Sequence, residues 1–319
     1  MALPYSTIES ITNNLILDKV TEGVFKSSAV LERFRKVQEL EEGGNNIKAP
    51  IQVVDDTGTT GEFYSSQDTL SLESYDGISA SFHNWKYIYE SVVIYKSEIA
   101  KNAGKYGVLK LIEQKVKLAE NAMAQRMMKG IHSDGTVNFG ALDADQFVGL
   151  LLGVKASGTY GSIAPADLAH WVSYVDSNAA VNRALTQAIL DKAMDQATEG
   201  DQIPNLGICN KAVFSKVRGL LATYQRTTRE DSLGSLGHKG HVLVYNGSDI
   251  VVDNLCPSNT FYWINQNFAK LHVHKDNNMR VQKISDLETA DAQLHRMFLY
   301  GAFIVSERNK NSKIEDITE

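Results

Sequence analysis

Apolar positions along this chain change their period several times, and each change marks an element. Ile8, Ile11 and Leu15 fall on one face at helical spacing, with Ser6 and Glu9 placed as a capping box. A second short helix is predicted from Ser28, burying Val30, Leu31 and Phe34, and it ends before Glu41-Glu42-Gly43-Gly44. These opening segments carry too little apolar surface for a core of their own. The arm they form must lie along the body or along a neighbouring chain.

From Ile47 the period becomes two: Ile47, Ala49, Ile51 and Val53 alternate with polar residues, and Pro50 restricts the strand to an edge. The segment Asp55 to Gly61 reads as a turn, Phe63 and Tyr64 follow it, and the chain returns through Ile78, Ala80 and Phe82. A two-stranded ribbon is marginal alone in water, so this long hairpin is expected to project and to be held by contacts made elsewhere.

After Trp85, Tyr87, Tyr89, Val93 and Tyr95 continue the alternation, and a helix is predicted over 97–129. Leu109, Ile112, Val116, Ala119, Met123 and Met127 share its buried stripe, and at 1.5 Å per residue it would run about 45 to 50 Å. Gly135 to Ser162 reads as loop with a short helix near Ala144 to Leu152. A further helix is expected over Val181 to Ala197 through Leu185, Ile189, Ala193 and Ala197, and another after an Asn210 cap, burying Val213, Phe214, Val217 and Leu221. Strands are expected over Ile203 to Ile208, Phe261 to Ile264, Leu271 to His274 and Met297 to Val305. Tyr245-Asn246-Gly247-Ser248 is a type I′ turn signal joining His241 to Val244 with Ile250 to Asp253. The class is α+β, with no βαβ series.

Composition narrows the reading. With 319 residues, 43% of them hydrophobic, the chain can bury one large core or two ordinary ones. It lacks an apolar run of membrane-spanning length and a secretory signal, so it is expected to stay in the compartment where it is made. Its two cysteines, Cys209 and Cys256, are not in CxxC spacing and read as small buried hydrophobes. A net charge of -6 argues against a protein that grips nucleic acid. It suits a container that encloses a polyanion without adhering to it, and suits an ordinary cytosolic enzyme equally well.

Candidate chemistry is sparse. Phosphate loops, dinucleotide fingerprints, nucleophile elbows and zincin helices are missing. His272 and His274 have the spacing of a two-His metal contact on a strand, but no acidic or Cys partner accompanies them at a recognised spacing. Asp143 and Asp145 begin like a calcium loop and lack its Gly and terminal Glu. Asn246-Gly247-Ser248 spells a glycosylation sequon that the turn already explains. Cys209 with a histidine partner has no defined geometry as a nucleophile pair. The expectation is no enzyme, no catalytic residue, no cofactor and no metal.

The order of arm, long hairpin, spine helix, then a helix and strand region resembles the major capsid proteins of tailed bacteriophages with the Hong Kong 97 fold. The most specific stretches are Ile203-Pro204-Asn205-Leu206-Gly207-Ile208 leading through Asn210 to Leu221, followed by Tyr224-Gln225-Arg226. A second set is Val244-Tyr245-Asn246-Gly247, Ile250-Val251-Val252-Asp253, Cys256-Pro257 and Tyr262-Trp263-Ile264-Asn265. Tyr160-Gly161-Ser162-Ile163 and Trp171 fit as well, while Ala164 to His170 departs from the family's wording.

The resemblance implies an N-terminal arm over 1–42 and an extended loop over 43–84. It implies a peripheral domain over 85–199 carrying the spine helix, an axial domain over 200–265, and a return to the peripheral domain with a C-terminal strand over 266–319. It further implies pentamers and hexamers of an icosahedral virion shell around double-stranded DNA, held by enclosure. A separate scaffolding protein is expected because the loop begins too early for a fused one, with a portal protein and possible decoration proteins as further partners. Assembly is expected in the host bacterial cytoplasm, with no membrane involved. The assembly residues would be Ile8, Ile11 and Leu15 of the arm and Ile47, Ile51, Val53, Phe63, Tyr64, Ile78 and Phe82 of the loop. Some relatives join subunits covalently through Lys and Asn; Lys48 lies on the loop, but nothing identifies a catalytic Glu or a partner Asn, and it reads as a charge that discourages edge pairing. The alternatives are an encapsulin-like nanocompartment and, from another class, an α+β hydrolase with an unrecognised site.

Overall fold

A computed structural model describes residues 28–52, 65–66, 78–101, 105–135, 145–168, 170–221, 242–284 and 291–318. Helix α1 (Ala29–Lys36) starts from Ser28, whose hydroxyl accepts from the Val30 amide at 3.2 Å. Val30, Leu31 and Phe34 are buried, and the Phe34 ring meets Phe303 edge-on with centroids 5.0 Å apart. This part of the arm therefore lies on its own chain's body. Ile8, Ile11 and Leu15 are outside the described residues.

A five-stranded sheet is built on the long β12 (Ala292–Val305), which hydrogen-bonds antiparallel to β4 (Lys86–Tyr95), β10 (Ala269–His274) and β11 (Arg280–Ile284). On the far side of β10, β1 (Glu39–Glu41) pairs in parallel. Met297, Leu299, Phe303 and Val305 are buried as the alternation predicts, although the strand begins at Ala292. On β4 the expected phase is inverted. Val92 and Ile94 face the core, while Tyr87, Tyr89 and Tyr95 stand exposed on the opposite face.

The buried face of β4 is covered by the spine, whose helical segments α2 (Lys96–Lys101) and α3 (Lys105–Ile131) fall where a helix is predicted over 97–129, residues 102–104 lying outside the described residues. Ala119, Met123 and Met127 are buried and Val116 packs beside them, as their spacing requires. The side chains of Leu109 and Ile112 are outside the description. The expected helix near Ala144 to Leu152 is reduced to α4 (Leu150–Gly153).

A second sheet has the order β5 (Tyr174–Asp176), β13 (Ser312–Ile314), β9 (Phe261–Ile264), β6 (Leu206–Cys209), β8 (Ser248–Val252) and β7 (Val242–Tyr245). β6 and β9 are buried at every position, the pattern of strands covered on both faces. One face packs on α5 (Gln187–Gln196) and α6 (Lys211–Leu221), and the other joins the core beneath the spine helix. α6 follows its prediction: the Asn210 side chain accepts from the Val213 amide at 2.8 Å, and Val213, Phe214, Val217 and Leu221 are buried. α5 starts later than expected, capped by Thr186, with Val181 exposed ahead of it. The hairpin turn is as predicted, with φ of 46° at Asn246 and 84° at Gly247, and its strands are β7 and β8. Residues 174–176 and 312–314, expected with the spine-helix region, hydrogen-bond into this second sheet instead.

Candidate assembly surface

The ribbon's root is antiparallel β2 (Ile47–Gln52) and β3 (Ile78–His83), pairing Ile47 with His83 and Gln52 with Ile78. Its two faces are chemically opposite. Ile47, Ala49 and Ile51 are buried, the first two against Ala302 and Ile304 of β12. Beside them Ser81 and His83 press on Gly161, where a Cβ would lie 2.5 Å from that of Ser81, and the Phe82 amide donates to the Gly161 carbonyl at 2.9 Å. Gly161 has a φ of +59°, so its missing side chain serves both the close approach and the backbone. Burial, helped by the charge of His272, pushes the His83 imidazole down to about 4.

The other face is apolar and open. Ile78 is 71% exposed and Phe82 42%, with the Lys48 ammonium 5.7 Å above the Phe82 ring. Of the residues expected to meet neighbouring copies, the structure thus places Ile78 and Phe82 on a free surface. Ile47 and Ile51, by their parity, turn into this chain's own core. Val53, Phe63 and Tyr64 lie outside the described residues. The exposed Tyr87 and Tyr89 continue along β4, with Tyr87 edge-on to Tyr300 at 4.7 Å.

Two buried clusters lie beneath. His132 at the end of α3 and Asp253 after β8 bond at 2.7 Å, both side chains 1% exposed or less, tying the spine to the second sheet. Cys209 and Cys256 are free, and burial raises both thiols far from the thiolate form that a nucleophile needs. At the arm's exit, Lys270 Nζ bonds Glu39 at 2.5 Å, and His272 Nδ1 lies 2.9 Å from Glu41 and 3.7 Å from Glu39. His272, expected to lack acidic partners, therefore has two, supplied by a parallel pairing that local spacing cannot reveal. Asp145 pairs with Lys86 at 3.3 Å, while Asp143 lies outside the described residues. Among the described residues no helix is long and apolar enough to cross a membrane.

A clamped ribbon, a long helix on a five-stranded sheet and a six-stranded sheet with its own helices define a shell-subunit fold. Solved structures share it. The chain resembles the Cyanophage A-1(L) capsid asymmetric unit at 17% identity, covering 92% of this chain and 93% of that one with a TM-score of 0.68. It also resembles a chain of a Mycobacterium phage Bobi structure at 9% identity, covering 90% of each with a TM-score of 0.57. The holo-SrpI encapsulin complex of Synechococcus elongatus matches at 10% identity, 88% and 84% coverage and a TM-score of 0.58. No curated protein matches the chain. The family model for the SU10 major capsid protein matches residues 96–318, and the chain belongs to that family: it is a major capsid protein of a phage shell.

Proposed function

We propose that this subunit closes into an icosahedral virion shell around double-stranded DNA, and that the outward face of the ribbon is one of its seats on a neighbouring copy. The observation that carries the reading is the exposure of Ile78 and Phe82 on a ribbon whose opposite face is already filled by the chain itself. Apolar surface of this kind is stabilised by association. A heterologous contact of one patch with a different one on the next copy closes rings of five and six. The arm residues Ile8, Ile11 and Leu15, and Val53, Phe63 and Tyr64 further along the loop, are proposed for the same role. The acidic chain holds DNA by enclosure. A separate scaffolding protein, a portal protein and decoration proteins are the proposed partners, and the host cytoplasm the place of assembly. A nanocompartment is less favoured, since the encapsulin likeness is weaker than that to the cyanophage capsid and the family match is to a phage protein.

The test is co-expression with the phage's scaffolding protein, comparing the wild type with an Ile78→Asp/Phe82→Asp variant by electron microscopy. Both positions face solvent in the subunit, so the variant is expected to fold with an unchanged melting profile and to lose closed shells. Shells formed by the variant at wild-type yield would overturn the ribbon's role. Wild-type particles filled with an enzyme in place of DNA would favour the nanocompartment.

A further inference from the structure

We propose that Glu39, Glu41 and His272 form a binding site for a divalent transition-metal ion of the zinc class, at the junction where the arm passes into the ribbon. The sequence offers the histidine, and the fold supplies the acids. Parallel pairing sets Glu39 beside His272 and Glu41 beside His274, and brings Glu41 to the His272 side chain across 231 residues of chain. One donor atom from each of Glu39, Glu41 and His272 lies within 4.8 Å of the others.

The spacing fits an ion as well as it fits a hydrogen bond. Tetrahedral zinc with bonds near 2.1 Å holds its donors about 3.4 Å apart. The distances from His272 Nδ1, 2.9 Å to Glu41 and 3.7 Å to Glu39, fall on either side of that value. One imidazole nitrogen and two carboxylates suit zinc or cobalt, whereas magnesium and calcium require oxygen donors throughout. His272 is buried while the Glu39 side chain is 46% exposed, which leaves an entry path and a fourth position for water.

Other charges face the site. Lys270 holds one oxygen of Glu39, leaving the second turned toward His272. The His83 ring couples electrostatically to His272, and Lys275 pairs with Glu42 at 3.6 Å on the next turn of chain. His274 Nδ1 accepts from the Asp276 amide and is spent. An ion here would displace the proton on His272, compete with Lys270 and pin the three-residue edge strand β1 to β10. Arm and ribbon would then leave the body from a fixed point.

Full-length chain titrated with zinc chloride in a calorimeter, and with cobalt chloride by visible absorption, tests this. One ion per chain and the absorption of tetrahedral cobalt are expected, with no response to magnesium. Glu41→Gln and His272→Gln should each weaken binding about tenfold or more, while His274→Gln leaves it unchanged. Lys270→Met discriminates most sharply, because removing the competing ammonium strengthens ion binding, whereas a mere ion-pair cluster gains nothing. Glu41 lies on a partly exposed edge, so its variant keeps the test valid if His272→Gln misfolds. Absent zinc binding by the wild type, binding indifferent to Glu41→Gln, or a Lys270→Met variant that binds no better would each overturn the site.

Discussion

Arg308 is a buried cation that pairs with no carboxylate among the described residues. Its guanidinium donates to the carbonyls of Leu152, Gly153, Lys155, Gly158 and Trp171 at 2.7 to 3.2 Å and lies 5.6 Å over the Tyr160 ring. Burial lowers its pKa from the usual value, and five carbonyl dipoles take the place of an anion. The loop between α4 and β5 has little regular structure, so this one side chain sets its path. Tyr160 in turn donates no proton to bulk water: its hydroxyl accepts from the Val305 amide at 2.9 Å. A lysine carries the charge with three donors on a point and cannot match the fork. Arg308→Lys is therefore expected to destabilise the subunit by about 3 kcal/mol, read as a lowered denaturant midpoint. A loss below about 0.5 kcal/mol, the range of ordinary surface changes, would show that the carbonyls find water instead. Nothing in the sequence near Arg308 announces this role, because every partner lies more than a hundred residues away.

At the scale of elements, the ribbon's root is the part whose stability responds to acid. His83 titrates at about 4 in the folded chain against 6.5 when free. Between those values the unfolded or undocked form binds the extra proton, so stability is complete above about pH 6.5, declines as pH falls toward 4, and levels off below. The shift corresponds to about 3 kcal/mol at most. Amide hydrogen exchange at Ser81 to His83, corrected for its intrinsic pH dependence, should accelerate over this window in the wild type and stay level in His83→Gln. Parallel profiles for the two proteins would refute the assignment. Elements were legible where their signals were local: the Asn210 cap with four apolar residues at helical spacing fixed α6, and Asn246-Gly247 fixed the hairpin. Strands of three residues were not, since β1, β5 and β13 exist only through pairing with distant chain. The phase of β4 was misread for another reason. Both of its faces carry large residues, and only the covering helix decides which is inside. The inward placement of Ile47 and Ile51 was hidden similarly, because a ribbon's alternation reveals two faces without saying which one its own body fills.

For the whole molecule, the segment before Ser28 is proposed, with the ribbon's open face, to join subunits, while the chain from Ser28 onward builds the subunit's own core. The described core begins there, with α1 capped by its own serine and three buried residues sealing the first sheet. Arg33 adds an ion pair to Asp249 beneath the second sheet. Residues 1–27 carry the amphipathic Ile8, Ile11 and Leu15 and are proposed to find their partners on other copies. Shells multiply weak contacts, because each copy in a closed lattice is held at several places at once and the effective concentration at every further contact is high. Deleting residues 1–27 is therefore expected to leave the monomer's melting temperature within about 2 °C of wild type, a change of about 1 kcal/mol or less for a chain of this size. The same deletion should abolish closed particles in sedimentation velocity with the scaffolding protein present. If the truncated chain melts far lower, the arm completes its own body and its proposed role between copies fails. If it melts normally and still builds full shells, the ribbon and the two sheets suffice for closure, and the arm is dispensable to it.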